Sequence, residues 1–325
     1  MLSVKDNFLR ALSGEAPAYV PRYNLGWAVR PSILNGNRTA VFGPGIDIFG
    51  VEWTNEGSVF DAALPRNDVF ILDDISRWRD VIHFPDFSGT DWAALAQKDL
   101  KDRDSDQPLG IRVDAQGYFQ SVMSFLGFTE GLIACHEEPE EVKALVNYLC
   151  DGYLGIAQQL LDAYKPDYMM FADDIAHERN PFLSVEAFRD IFAPVWRRHT
   201  QFFKSRGLWA VHHNCGHFEA YLDDVVDMGF NAWDPAQTSN DLVGIKKKFG
   251  NKLVICGGFD GKAFLPHIAA TEEQVRSAVR KTMDELAPGG GYAFLGGAGG
   301  GDPVSQQRGE WIADEYEKLK ATYYH

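Results

Sequence analysis

The segment 208–216, LWAVHHNCG, combines an imidazole and a thiol at the end of a short apolar run. His212 and His213 end the run, and Cys215 follows two residues after His213. Side chains alternate along a strand, so His213 and Cys215 would share one face at the end of that strand. Imidazole and thiolate are ligands that suit zinc. The segment therefore predicts a metal site, with a buried core histidine and an inert cysteine as the structural alternative.

The elements that would position this segment form a regular alternation. From about residue 108, strand-like apolar runs alternate with helical patterns of roughly a dozen residues, which indicates parallel strands. Such a pattern fits a (β/α)8 TIM barrel better than an open doubly wound sheet. We predict a single domain over 1–325, in which 28–90 is a loop-rich N-terminal elaboration that holds the eighth strand. The other predicted strands are 19–23, 109–113, 167–172, 208–212, 230–233, 252–256 and 291–295.

The carboxyl ends of barrel strands line the active site, and acids follow several of the predicted strands. Asp114, Asp173 and Asp174 are the catalytic candidates. Adjacent acids can bind a cation, orient a histidine or transfer protons, although aspartates also favour turns and helix starts. Strand alternation lets only one of Asp173 and Asp174 point into the barrel mouth.

The third metal ligand is left open by the sequence. Cys256 ends another predicted strand and would complete a set with His213 and Cys215. A small buried core residue is the alternative interpretation of Cys256. Asp173, Asp174 or Asp234 could instead supply an oxygen ligand.

Further strand-end residues are candidates for binding a substrate. An arginine such as Arg22 could clamp a carboxylate. The glycines 296–301 precede a predicted helix, and the backbone N–H groups near Gly297 could bind an anion. The remaining candidates at strand ends are Asn24, Trp233 and Asp234.

Bulk properties exclude several classes of protein. The formal charge of −15 opposes general binding to nucleic acid, which needs a basic face, and to anionic membranes. The 45% hydrophobic and 24% charged content is that of a soluble globular protein. The four cysteines lack the spacing of a secreted disulfide framework. The sequence shows neither a signal peptide nor an apolar run of membrane-spanning length, so we predict a cytoplasmic protein.

Taken together, several segments resemble the uroporphyrinogen decarboxylase superfamily. They occur in the family's order over nearly the whole chain, and they are 47–53, 172–174, 213–216, 233–237 and 257–260. The resemblance implies a (β/α)8 barrel. It also adds Gln237 to Trp233 and Asp234 among the substrate-binding candidates.

Two branches of that superfamily differ in their chemistry. Its decarboxylases resemble one another in an arginine-rich motif, Met-Arg-Gln-Ala-Gly-Arg, which is absent from 21–30 here. Its corrinoid-linked methyltransferases carry His-x-Cys and a distal cysteine that bind zinc, and His213 and Cys215 match the first part. The usual place of the distal cysteine, 295–298, contains none, so Cys256 or a carboxylate would substitute.

The resemblance therefore implies a methyltransferase that moves a methyl group to or from cobalamin, with O-demethylation as one form of the reaction. Its partners would be a small-molecule methyl donor or acceptor and a corrinoid, either free cobalamin or carried by a separate protein. An oligomer remains compatible with the sequence.

Two alternatives remain open. The first is a carboxy-lyase acting on a porphyrinogen or a smaller carboxylated substrate, with Arg22 and Arg30 holding carboxylates and Asp114 or Asp173 stabilising a protonated pyrrole. The second is a non-catalytic protein that binds a corrinoid or a metal.

Overall fold

The computed structural model describes residues 2–56 and 62–324 of the chain. Strands and helices alternate through most of this range, as the sequence predicts. The strands are β1 (Ala28–Val29), β2 (Gly45–Ile46), β3 (Glu52–Thr54), β4 (Leu64–Pro65), β5 (Gly110–Ile111), β6 (Tyr168–Ala172), β7 (Trp209–His213), β8 (Ala232–Ala236), β9 (Val254–Gly258) and β10 (Tyr292–Leu295).

Side chains cap the first turns of several helices. Thr271 and Gln274 form a capping box at α11, and Asp302 caps α12, whose first residue is Pro303. None of the helices in the described ranges is long and apolar enough to cross a membrane. They are α1 (Val4–Leu12), α2 (Trp78–Val81), α3 (Trp92–Asp99), α4 (Phe119–Leu126), α5 (Phe128–Glu137), α6 (Pro139–Tyr164), α7 (Val185–Ile191), α8 (Ala193–Lys204), α9 (Leu222–Met228), α10 (Leu242–Phe249), α11 (Glu272–Leu286) and α12 (Pro303–Leu319).

Seven strands form one parallel sheet in the order β1-β5-β6-β7-β8-β9-β10. The residues before β1 close the sheet on itself, because Arg22 pairs in parallel with Phe294 of β10. Tyr23 N donates to Phe294 O, and Phe294 N donates to Pro21 O, both at 2.7 Å. A 3-10 turn, Leu25–Trp27, separates this edge from β1, which pairs with β5. The (β/α)8 barrel-like fold is thus confirmed, and the predicted eighth strand is β1.

Strand alternation divides the core into two layers. Inward-facing side chains such as Met170 and Val211 fill the barrel interior, and Phe8 of α1 packs with them. Outward-facing side chains such as Phe171 and Trp233 pack under the helices. His213, two residues after Val211, consequently points into the barrel.

The predicted elaboration 28–90 contains a second, antiparallel sheet in the order β2-β3-β4. Asp47 fixes the turn before β3, because its carboxylate accepts hydrogen bonds from Phe49 N and Val51 N at 2.9 and 3.0 Å. It also accepts one from the Trp53 indole at 2.9 Å. The segment that carries this sheet, residues 38–56 and 62–66, is called the cap, and it places Trp53 over the barrel mouth, where Trp53 lines a cavity.

Candidate metal centre and active-site cavity

Three potential metal ligands lie together at the rim of the barrel: Asp174, His213 and Cys215. One ligand atom from each lies within 4.8 Å of the others. His213 Nε2 is 4.0 Å from Cys215 Sγ and 3.9 Å from Asp174 Oδ1. The structure brings together the predicted pair and one of the carboxylates proposed as its third partner.

Local geometry explains this convergence. β6 and β7 are neighbours, with Ala172 opposite His213, so the residues after both strands emerge side by side. Cys215 N donates to Asp174 Oδ1 at 2.7 Å and ties the two loops together. Gly216 has φ +89°, and a Cβ there would lie 2.6 Å from the Ala176 carbonyl oxygen. Only glycine fits this turn without strain.

Asp234 fixes the orientation of the His213 ring. Its Oδ2 lies 3.1 Å from His213 Nδ1, and its side chain is 1% exposed. The ring therefore presents Nε2 to Asp174 and Cys215. Burial lowers the pKa of His213, but the Asp234 carboxylate outweighs it and raises the pKa well above its ordinary value. A carboxylate behind a ligand histidine is the usual support of a zinc site.

The donor set fits zinc. Imidazole nitrogen, thiolate sulfur and carboxylate oxygen are its common ligands, and a tetrahedral ion separates such atoms by roughly 3.3–3.8 Å. The separations of 3.9 and 4.0 Å are a few tenths of an ångström longer. Three protein ligands leave a fourth position for a substrate, as in catalytic zinc sites.

Zinc binding should weaken as the pH falls. The pKa of His213 is raised, and burial, partly offset by the His213 hydrogen bond, raises that of Cys215, so both groups carry a proton near neutral pH. Zinc must displace about two protons, and its affinity should therefore rise about tenfold per pH unit for each proton. Calorimetry of zinc binding in buffers of different ionisation enthalpy measures this number; a pH-independent affinity would contradict it.

Cys256 is not part of this group. β9 runs to Gly258, two residues beyond the predicted strand end, so Cys256 lies below the rim in the barrel interior. It is fully buried, and burial together with the Asp234 charge raises its pKa well above the ordinary value. The structure supports the core interpretation of Cys256 and places Asp174, not Cys256, beside His213 and Cys215.

Asp173 points away from the cavity and anchors α4. Its carboxylate accepts hydrogen bonds from Tyr118 N and Phe119 N at 2.9 Å and from Gln120 N at 3.0 Å. The Trp196 indole donates a fourth at 3.1 Å. Burial raises its pKa to about 7, against the lowering by these bonds. Asp173 is fully buried and does not line the cavity, so its position does not support the predicted catalytic role.

Asp173→Asn should destabilise the protein by about 2–4 kcal/mol, because the amide NH2 would face a backbone donor in a buried site. Urea unfolding measures the loss. Asp174→Asn is the matched control: the Asp174 side chain is 32% exposed, and its change should cost less than about 1 kcal/mol. Equal destabilisation by both variants would refute the anchoring role.

Asp114 is fully buried and holds the side chain of Arg112 in place. Its Oδ1 accepts from Arg112 at 2.7 Å and from Gly117 N at 3.0 Å. Arg112, not Asp114, lines the cavity. Asp114 therefore positions an arginine and does not itself reach a ligand there.

The predicted substrate residues of the first strand lie elsewhere. Arg22 and Asn24 are exposed and border a separate groove with Tyr316 and Lys320. The Arg22 guanidinium lies over the Tyr316 ring at 5.9 Å, and Asn24 caps the Leu25–Trp27 turn. Neither lines the cavity at the barrel mouth, because Tyr23 between them faces the barrel interior and alternation turns both of them outward.

Of the other predicted substrate residues, Trp233 and Gln237 hold the loop after β7 in place, and Gly297 lies in a different loop. The Trp233 indole donates to Asn214 O at 3.0 Å, and Gln237 Oε1 accepts from Gly216 N at 2.7 Å. Asp234 lies behind His213, since β8 continues past it to Ala236. Gly297 is exposed in the loop after β10 and does not line the cavity at the barrel mouth.

A cavity of about 460 Å³ opens between the barrel mouth and the cap. His213 and Asp174 form one part of its wall. The polar residues of its wall that the sequence did not predict are Arg38, Arg112, Gln116 and Gln120. Arg112 lies two residues before Asp114 at the end of the predicted strand 109–113, and that spacing was a usable signal, whereas the irregular segment around Arg38 offered none. The apolar wall includes Leu25, Val41, Phe42, Trp53 and Met170.

The family model for uroporphyrinogen decarboxylase (URO-D) matches residues 117–301, more than half of the chain. The chain belongs to the URO-D family. The match covers β6 to β10 and thus the whole Asp174–His213–Cys215 group, which confirms the resemblance found in the sequence.

Among solved structures, this URO-D family member is similar to a methyltransferase from Methanosarcina mazei. The TM-score is 0.67 at 14% sequence identity, over 98% of this chain and 99% of the other. At that identity the likeness shows a common fold. Comparison with curated proteins gives no significant match.

Proposed function

We propose that this URO-D family member is a corrinoid-linked methyltransferase. The observation that carries the proposal is the group Asp174, His213 and Cys215, of which Asp174 and His213 line a cavity large enough for a small substrate. The similarity in fold to a methyltransferase agrees with it.

In this proposal, zinc held by the three residues would supply a Lewis acid that activates a thiol methyl acceptor or polarises the oxygen of a methyl ether. The chain's own residues then have separate tasks. Asp234 holds the imidazole of His213 in one orientation, and the bond from Cys215 N to Asp174 fixes the carboxylate. The apolar wall and cap exclude water from the methyl group in transit. The corrinoid would be free cobalamin or would arrive on a separate protein.

Two measurements test this function together. Elemental analysis of protein purified in metal-free buffer should find close to one zinc per chain. The enzyme should transfer a methyl group from a methyl ether to cob(I)alamin, which gives methylcobalamin and the alcohol, or from methylcobalamin to a thiol, which gives cob(I)alamin and the thioether. Either reaction changes the visible absorbance of the corrinoid. Absence of zinc, with cobalamin turnover unaffected by Cys215→Ser, would reject the proposal.

A carboxy-lyase is the second candidate, and the arginines in the cavity favour it. Arg30, Arg38 and Arg112 could hold substrate carboxylates without a metal. The two candidates are separated by incubating the protein with uroporphyrinogen and counting the carboxyl groups of the product. Loss of carboxyl groups from metal-free protein would favour the lyase.

A further inference from the structure

Three arginines converge on the cavity and are almost completely buried. Arg30, Arg38 and Arg112 are 6%, 8% and 9% exposed. All three line the same wall, Arg38 from the cap, Arg112 from the residue after β5, and Arg30 from the segment that joins β1 to the cap. Burying three like charges together is costly unless anions balance them.

Protein carboxylates balance this charge only in part. Arg112 pairs with Asp114 at 2.7 Å. Within residues 2–56 and 62–324, neither Arg30 nor Arg38 has a carboxylate at ion-pair distance; their recorded acceptors are neutral oxygens of Asn35, Val41, Ala115 and Gly43.

Some donors also remain unused. The Nε of Arg112 is buried and has no hydrogen-bond partner in the described part of the chain. The Arg38 guanidinium stacks on the Trp53 ring at 4.0 Å, which fixes its plane while its Nε donates to Gly43 O. Burial lowers the pKa of Arg30 to about 9 and that of Arg38 to about 10, and Arg112 contributes to both shifts. An anion between these groups would relieve both the repulsion and the missing hydrogen bond.

We infer that Arg38 and Arg112, with the charge of Arg30 behind them, bind the carboxylate of a small substrate that has an apolar body. The cavity volume of about 460 Å³ suits one or two rings, and Trp53, Phe42 and Met170 supply the apolar contacts. The inference rests on the proposed function only for the end of the substrate opposite its carboxylate. There the atom that gives or takes the methyl group would face Asp174 and His213.

Calorimetry with 4-methoxybenzoate and its neutral isostere 4-methoxybenzamide tests the site. We expect the carboxylate to bind at least about tenfold more tightly, because charge-assisted hydrogen bonds are roughly twice as strong as neutral ones. Arg38→Gln should remove most of that preference and leave amide binding unchanged. Arg66→Gln is the matched control, since Arg66 of the cap is half-exposed and pairs with Glu52.

Arg112→Gln alone would leave the buried Asp114 carboxylate without its ion-pair partner. The double variant Arg112→Gln with Asp114→Asn is therefore used for that position. It should also remove the preference. Equal affinity for carboxylate and amide, binding of neither at 10 mM, or an equal loss in Arg66→Gln would overturn the inference.

The same titration on Cys215→Ala separates this site from the metal centre. Preference for the carboxylate should persist in Cys215→Ala, whether or not methyl transfer is found. Its disappearance there would show that the metal centre holds the anion, and would overturn the assignment to the arginines.

Discussion

In the proposed methyltransferase, Cys215→Ala is expected to lower zinc affinity by about 10²–10³-fold and to reduce methyl transfer to the background rate. The variant removes one of three protein ligands and the only thiolate, and metal binding energy depends on the number of deprotonated ligands. His213 and Asp174 remain but are 3.9 Å apart, a pair that cannot hold the ion tightly alone. Chelator competition gives the zinc affinity, and corrinoid absorbance gives the rate.

The matched control is Cys256→Ala. Both cysteines were candidate ligands in the sequence, but Cys256 lies in the packed barrel interior and contacts Val254 O at 4.0 Å. Its truncation should cost about 1 kcal/mol or more of stability through lost packing and leave zinc content unchanged. If Cys256→Ala lost zinc while Cys215→Ala kept it, the ligand assignment would be wrong.

Asp234→Asn is expected to weaken zinc binding by about 10–100-fold, the usual effect of losing the carboxylate behind a ligand histidine. Asparagine keeps the size of the side chain but removes the charge that raises the pKa of His213. The ring becomes a weaker ligand, but it also competes less for a proton. The deficit should therefore be largest at a pH above the raised pKa of His213, and it should shrink as the pH falls below that pKa.

Zinc affinity as a function of pH checks this prediction. Asp260→Asn serves as control, because Asp260 also follows a barrel strand but is exposed and only caps a 3-10 turn. A parallel shift of the two curves for wild type and Asp234→Asn, with the same deficit at every pH, would argue against control of the imidazole pKa by Asp234.

Much of the site followed from strand periodicity. His213 and Cys215 were predicted to share a face because alternation is a local property of any strand, and β7 ends at His213, one residue beyond the predicted strand 208–212. The limits of neighbouring strands were harder to predict. β8 and β9 continue two or three residues further than the apolar runs suggested, and that shift moves Asp234 behind His213 and Cys256 into the core.

For Asp173 and Asp174, too, local periodicity predicted one part of the arrangement and tertiary packing decided the other. Alternation established that one of them faces the barrel mouth, but not which one. The choice depends on α4, whose first N–H groups need an acceptor and take Asp173. That helix and α5 occupy 119–137, a stretch to which the sequence analysis assigned no element.

The alternation of strands and helices from α6 onward, the barrel, and the imidazole–thiol pair were determined by the sequence alone, since hydrophobic period and residue type act over a few positions. The third candidate ligand and the arginine wall were decided by tertiary structure. Arg30, Arg38 and Arg112 come from three segments that share no pattern, and they meet only because the cap folds over the barrel mouth. Contacts between segments so distant in the chain depend on how whole elements pack, which local periodicity does not encode.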